Sequence, residues 1–311
     1  MNKAAHCPHT FNTLFLLTFI FIFLLGCSTT PQRHFAPAQL QAIRLNERGI
    51  AAELRGNYTE AEASFDAAYR LQGSIENFSG MAVTLVNKAR LNRLQGKIAE
   101  AEQSIDTSIS LLPHVPDMTA EISFEKAKLL LVGKKFKEAA AWSERARAAA
   151  DGASRGRMTN LLAEIRFEEG DTASARSHAS EALRLCRDSG DQREEANALR
   201  LLGRLSLVDR QWLEAGQHLN DALTIDKELG ISNKITADLQ LLGMVSEGMG
   251  RRDKALDYLQ RAADTSYSDG DRRTASSIFA KLADLYEQSG DKGKASEARQ
   301  RSKDILTITS P

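Results

Sequence analysis

Apolar residues recur along this chain in paired helical stretches. Leu199 and Leu202, Leu239 and Leu242, and Phe279 and Leu282 stand at the spacing of one helix face. After a short polar break, each stretch is followed by a second whose face carries Phe65, Ile105, Leu219 or Leu259 in the corresponding repeats. The pattern predicts helix–turn–helix units, each with one buried seam. Small residues mark the same frame. Ala61, Ala101, Ala139, Ala175, Ala215, Ala255 and Ala295 follow one another at gaps of 40, 38, 36, 40, 40 and 40 residues. Twelve positions upstream stand Gly49, Ala89, Ala127, Ala163, Gly203, Gly243 and Ala283; seven downstream stand Ala68, Ser108, Ala146, Ala182, Ala222, Ala262 and Ser302. A bulky side chain would push crossing helices apart, so columns without one mark the points of closest approach. A fixed period near forty predicts a repeat array.

Between the upstream column and the alanine lie Gly56, Gly96, Gly133, Gly170, Gly250 and Gly290, with Asp209-Arg210 in the fifth repeat. Glycine ends a helix because it accepts the left-handed backbone, so these residues predict the turn within each unit. Tyr58, Phe136 and Trp212 supply a large residue just after the turn. Glu60, Glu100, Glu138 and Glu214 put acid in the first turn of the second helix, where the helix dipole favours it.

The stretch Arg55 to Leu71 resembles the turn and second helix of the tetratricopeptide repeat family, and the resemblance extends over roughly residues 40 to 306. It implies an all-α, right-handed superhelical solenoid of about seven helix pairs, in the long-helix class of bacterial regulatory and scaffold proteins. It also implies a concave groove, lined by first helices, that holds an extended peptide or a partner helix. The groove-facing register carries Arg90, Arg93, Lys128, Arg157, Asn160, Asn197, Arg200 and Arg204 in its middle. Glu121, Glu164 and Glu168 share that register, as do Glu247, Asp284 and Glu287 toward the C-terminus. One expectation is that arginine forks capture an acidic segment or chain terminus; the other is a solvated face of mixed charge. The carboxylate clamp of chaperone-binding relatives is not reproduced, since Asn46 is present but Glu53 stands where a cation is expected. Arg299 replaces the leucine of earlier repeats and Lys303 follows Ser302, the polar outer face that a terminal repeat needs to stop stacking.

The N-terminus reads differently. Lys3 precedes an apolar run from Phe11 to Leu25 and then Gly26-Cys27. A basic start, a hydrophobic run of about fifteen and a small residue before the break describe a secretory signal peptide. The run is short against the ~20 residues of a membrane span. Leu24-Leu25-Gly26-Cys27 resembles the bacterial lipobox, which implies cleavage before Cys27, diacylglycerol on its thiol and an acyl chain such as palmitate on its amine. An uncleaved signal anchor and a plain secretory signal are the alternatives. Ser28 follows the cysteine where an Asp would mark inner-membrane retention in related systems, so the expected address is the outer membrane, facing the periplasm. The expected division is residues 1–26 as signal peptide, 27–37 as lipidated cysteine and tether, 38–306 as solenoid and 307–311 as tail.

Charge and chemistry narrow the function further. Forty-one basic and 41 acidic side chains cancel, so no field favours nucleic acid. Among the three cysteines, Cys7 leaves with the signal and Cys27 is lipidated, leaving Cys186 as a packing thiol. The chain carries no zinc, calcium, phosphate-loop or nucleophile-elbow motif. His178 and His218 share one register with Trp142 and Tyr258, a column that fits either a contact stripe or packing between repeats. These residues predict a non-enzymatic protein without cofactor or metal. It binds protein or peptide partners in the cell envelope and reaches the membrane through its lipid. The expected role is an adaptor in pilus or secretion assembly, outer-membrane assembly or peptidoglycan-enzyme control. The alternative is a peptide-sensing regulatory module.

Overall fold

A computed structural model describes residues 36–307. The signal peptide, Cys27, the tether up to residue 35 and the last four residues of the tail lie outside them, while Pro37, expected to end the tether, opens the first helix. The described residues form fourteen α-helices and one short 3-10 turn, with no strand. The helices are α1 (Pro37–Leu54), α2 (Tyr58–Ser74), α3 (Phe78–Leu94), α4 (Ile98–Ser110), α5 (Thr119–Val132), α6 (Phe136–Ala149) and α7 (Arg155–Glu169). They continue with α8 (Thr172–Ser189), α9 (Gln192–Val208), α10 (Trp212–Glu228), α11 (Ser232–Gly248), α12 (Arg252–Ser268), α13 (Arg272–Gln288) and α14 (Lys292–Thr307). Odd-numbered helices are the first of each pair and even-numbered helices the second. None of them is long and apolar enough to cross a membrane.

Each helix packs most extensively on its own partner and next on its sequence neighbour. First helices of neighbouring repeats also touch, as α3 with α5 and α7 with α9, whereas successive second helices make no comparable contact. That asymmetry curves the array and places the first helices on its inner face.

The three small columns hold the helices together. All seven alanines of the repeat register are buried. The upstream column meets the large residue of the second helix: a β-carbon on Gly49 would lie 2.5 Å from Phe65, and one on Gly203 2.6 Å from Leu219. The buried thiol of Cys186 packs in the same manner, 2.6 Å from where a β-carbon on Gly156 would stand. Burial pushes that thiol up to about 12, so it remains protonated.

Gly56, Gly96, Gly170, Gly250 and Gly290 are left-handed, as the turn requires. The third repeat differs from expectation. Gly133 has an ordinary negative φ, and Lys134 takes the left-handed position at +56°. Gly133 stands six residues before Ala139, one too early for a position that lies five before the alanine elsewhere. Arg210 fills that position in the fifth repeat at +57°. The 38-residue gap before this repeat has a local cause: Pro113 and Pro116 end α4 early and route the chain through the 3-10 turn Pro116–Met118. The 36-residue gap after it follows from the shorter helices α6 and α7. His114, in that connection, stacks on Phe78 with ring centroids 4.5 Å apart.

Candidate functional site

The inner face of repeats three to six encloses a cavity of about 250 Å³. Six of the eight groove residues read from the sequence line it: Lys128 from α5, Arg157 and Asn160 from α7, and Asn197, Arg200 and Arg204 from α9. Arg90 and Arg93 are not part of it. The cavity also includes Lys234 of α11, which the register missed because it sits one helical turn before Ala237, the residue in the groove-facing position.

The arginines do not wait empty. Arg90 donates to Glu53 at 3.0 Å, and Arg93 to Glu125 at 2.6 Å with both side chains buried. Arg157 pairs with Glu121 and stacks over Phe124; Arg204 donates to Glu168 at 2.8 Å and stacks over Phe167. Arg200 is enclosed most completely. It donates to Asp238 at 2.6 Å, to Asn197 at 2.9 Å and to Asp226, and Asp226 and Asp238 are both fully buried. The partners stand one repeat away, at separations of 37, 32, 36, 36 and 38 residues for Arg90–Glu53, Arg93–Glu125, Arg157–Glu121, Arg204–Glu168 and Arg200–Asp238. The basic middle of the groove is therefore a ladder of ion pairs linking successive first helices. Asn46 and Glu53 are likewise used internally, Asn46 donating to Thr84 at 2.7 Å.

The two lysines are different. Among the described residues, neither Lys128 nor Lys234 pairs with a carboxylate, although Glu164 and Glu194 share the cavity with them. Burial, reinforced by Arg93 beside Lys128 and by Arg200 beside Lys234, holds both ammonium groups below their usual pKa despite those carboxylates. Asn160 donates from its amide to the backbone carbonyl of Glu194 at 2.8 Å and to its carboxylate at 2.9 Å. Its own carbonyl oxygen is buried and has no hydrogen-bond partner.

Arg204 forms the shared wall to a second, apolar cleft of about 550 Å³. Phe167, Leu207, Val208, Leu241 and Met244 line it, and Val208 and Met244 are exposed. Trp212 closes one side by lying across Gly248, where a β-carbon would come within 2.7 Å of the indole. Glu247 and Lys281 carry this cleft into a third, polar cavity that includes Asp284. The groove is thus one track running from repeat three to repeat seven.

Comparison with known proteins agrees with this architecture. Residues 154–228, which include α7 to α10, match the tetratricopeptide repeat family. Across 70% of this chain and 94% of its own, BtubC (BKLC) from P. vanneervenii superposes with a TM-score of 0.59 at 21% sequence identity. The fold is a tetratricopeptide repeat solenoid. A Rap protein complexed with Competence and Sporulation Factor shares this solenoid with a TM-score of 0.63 at 17% identity, over 87% of this chain and 77% of that one. The regulatory protein AfsR of Streptomyces griseus is 27% identical over 210 residues, 65% of this chain, and the chain spans only 20% of that relative's length.

The outer layer of the solenoid carries the aromatic and histidine column. Trp142, His178, His218 and Tyr258 are all half-buried, with Trp142 and Tyr258 packed against neighbouring core clusters. The solenoid ends on a polar helix, α14, whose Arg301 stacks over Phe279 and whose Arg299 pairs with Glu287.

Proposed function

We propose that this protein is a membrane-anchored adaptor whose concave groove holds an extended segment of a partner protein in the cell envelope. The observation that carries the groove half of this reading is the continuity of the inner face. The lysine-lined cavity, the apolar cleft and the third cavity share Arg204, Glu247 and Lys281 as walls. A track of that length, with alternating polar and apolar stations, suits a chain better than a compact small molecule. The solenoid is a protein-interaction scaffold, and its interior positions are committed to packing and ion pairing.

The envelope half rests on Leu24-Leu25-Gly26-Cys27. Acyl chains on Cys27 would supply the two hydrophobic attachments that stable anchoring needs. Ser28 supports an outer-membrane address facing the periplasm. Pilus or secretion assembly, outer-membrane assembly and control of peptidoglycan enzymes are the settings in which such an adaptor would serve; they rest on analogy of fold. Crosslinking and pull-down from membranes of wild type and Cys27→Ala tests this reading. Loss of membrane association together with loss of crosslinked partners supports it. A soluble variant that keeps every partner confines the lipid to location, and a wild type without crosslinked partners contradicts the adaptor role.

A second reading is a regulatory module that senses a peptide. It is favoured by the central cavity, which takes walls from four successive first helices, so that an occupant would tie four repeats together. The likeness to AfsR and to the Rap complex points the same way. A ligand-dependent change in the radius of gyration by solution scattering distinguishes this reading from a static adaptor.

A further inference from the structure

Arg93, Arg157, Arg204 and Arg200 are paired with Glu125, Glu121, Glu168, Asp226 and Asp238, and a ligand would have to displace those carboxylates to reach them. Lys128 and Lys234 face the same space without a paired carboxylate. Between them stands Asn160, 8% exposed, whose carbonyl oxygen is an acceptor with nothing to accept. Its orientation is fixed, because the amide nitrogen is held by Glu194 at both the backbone and the carboxylate. A buried acceptor without a donor is costly, and so is an ammonium that burial desolvates without a direct ion-pair partner. The apolar cleft begins on the far side of Arg204.

Resting on the groove reading above, we propose that the solenoid selects an extended peptide segment carrying an acidic residue beside a bulky apolar one. The acidic carboxylate sits between Lys128 and Lys234, a neighbouring main-chain N–H donates to Asn160 Oδ1, and the apolar side chain enters the cleft of Val208, Leu241 and Met244. The depressed affinity of both lysines for their protons accords with this. Burial is the largest cause at each, and Glu164 and Glu194 offset it only in part, so a ligand carboxylate would stabilise both charged forms. The lysines are anchors, and the arginine ladder is the frame that holds the first helices at the spacing the ligand meets.

The test uses the full-length protein, immobilised, and pools of randomised heptapeptides blocked by N-acetyl and C-amide groups. One position is fixed as Asp or Asn and an adjacent or next-but-one position as Leu or Ser. A further Asn pool carries a free C-terminal carboxylate, to separate a chain terminus from an acidic side chain. The expected result is retention of the Asp pools about tenfold above the Asn pools, the range of a charge-assisted hydrogen bond. The Lys128→Met and Lys234→Met double variant loses that preference but keeps preferring Leu over Ser. Met244→Ser does the reverse. Retention of the free-carboxylate pool at the Asp level, with blocked Asp pools no better than Asn, overturns the side-chain assignment. Equal retention of blocked Asp and Asn pools, or an Asp preference that survives loss of both lysines, overturns the proposal while the groove reading stands. No retention of any pool overturns both. A thermal melt of the double variant at or above wild type shows that the lysines are not needed for folding.

Discussion

Leu219 occupies the space in which a side chain on Gly203 would begin: a β-carbon there would lie 2.6 Å from Leu219 Cγ and 2.8 Å from its Cδ2. The relation repeats with a change of scale. Gly49 faces Phe65 at 2.5 Å, and Gly243 faces Leu259 at 3.1 Å. The opposing residues at Ala127 and Ala163 are Ser143 and Ala179, where a methyl group fits. Glycine thus stands opposite Phe65, Leu219 and Leu259, while alanine suffices opposite Ile105, Ser143 and Ala179.

Gly203→Ala should destabilise the solenoid by about 1–2 kcal/mol, because overpacking outweighs the ~1 kcal/mol that alanine gains over glycine in a helix. Gly243→Ala, with more room, should be near neutral. Chemical denaturation of both single variants, with Gly203→Ala also combined with Leu219→Ala, checks this. The double variant should show a favourable coupling, and additivity would contradict the seam argument.

Arg210 sits in the left-handed region at a position where five other repeats place glycine. Arg210→Gly should therefore raise stability, by up to about 1 kcal/mol once the extra freedom of glycine in the unfolded chain is subtracted. Gly250→Arg, the reverse exchange one repeat later, should lower it. Thermal melts of the two variants should move in opposite directions.

These seams and turns were legible in the sequence because sterics act locally: a crossing point rejects large side chains whatever surrounds it. The misplaced turn at Gly133 shows the limit, since residue type alone suggested the glycine, while its position relative to Ala139 decides for Lys134. The groove residues were legible as a register but not as a charge state. Arg200 reads as a free fork because Asp226 and Asp238 stand on other helices, 26 and 38 residues away. A search for opposite charges one repeat apart would have found Glu53 with Arg90 and Glu121 with Arg157. Lys234 was missed because groove residues there come from the turn before the usual register. The helix caps were also overlooked: Asp171, Asp191 and Asp271 each accept from a backbone N–H three residues on.

Arg200 is a folding residue before it is a binding one. Arg200→Met leaves two buried carboxylates without their cation and should cost about 3–5 kcal/mol. Arg200→Glu should be worse, so charge reversal at this site cannot report on ligand capture. Adding Asp226→Asn and Asp238→Asn to Arg200→Met should restore much of the loss, measured as the denaturation midpoint.

The same cluster makes stability depend on pH. Burial raises the Asp238 carboxyl to about 6, against its usual 3.8, in spite of Arg200 beside it, and the neighbouring Asp226 adds to the rise. Between those values the folded state holds a proton that the unfolded state releases, so this group's contribution to stability is greatest at low pH and is lost as pH rises through about 6. Wild type should gain stability relative to Asp238→Asn on going from pH 7.5 to pH 5. A constant difference between the two proteins over that range would contradict the assignment.

The inner face of the solenoid, and not its outer layer, is the surface proposed to receive the partner. Photo-crosslinking in living cells tests it most directly, with a photoreactive residue at Met244, exposed in the apolar cleft, or at Asn220, exposed on the second helix α10. The expected result is a discrete crosslinked partner from Met244 and none from Asn220, with the Met244 product weakened by Lys128→Met and Lys234→Met. The same product from both positions, or a product from Asn220 alone, would contradict it.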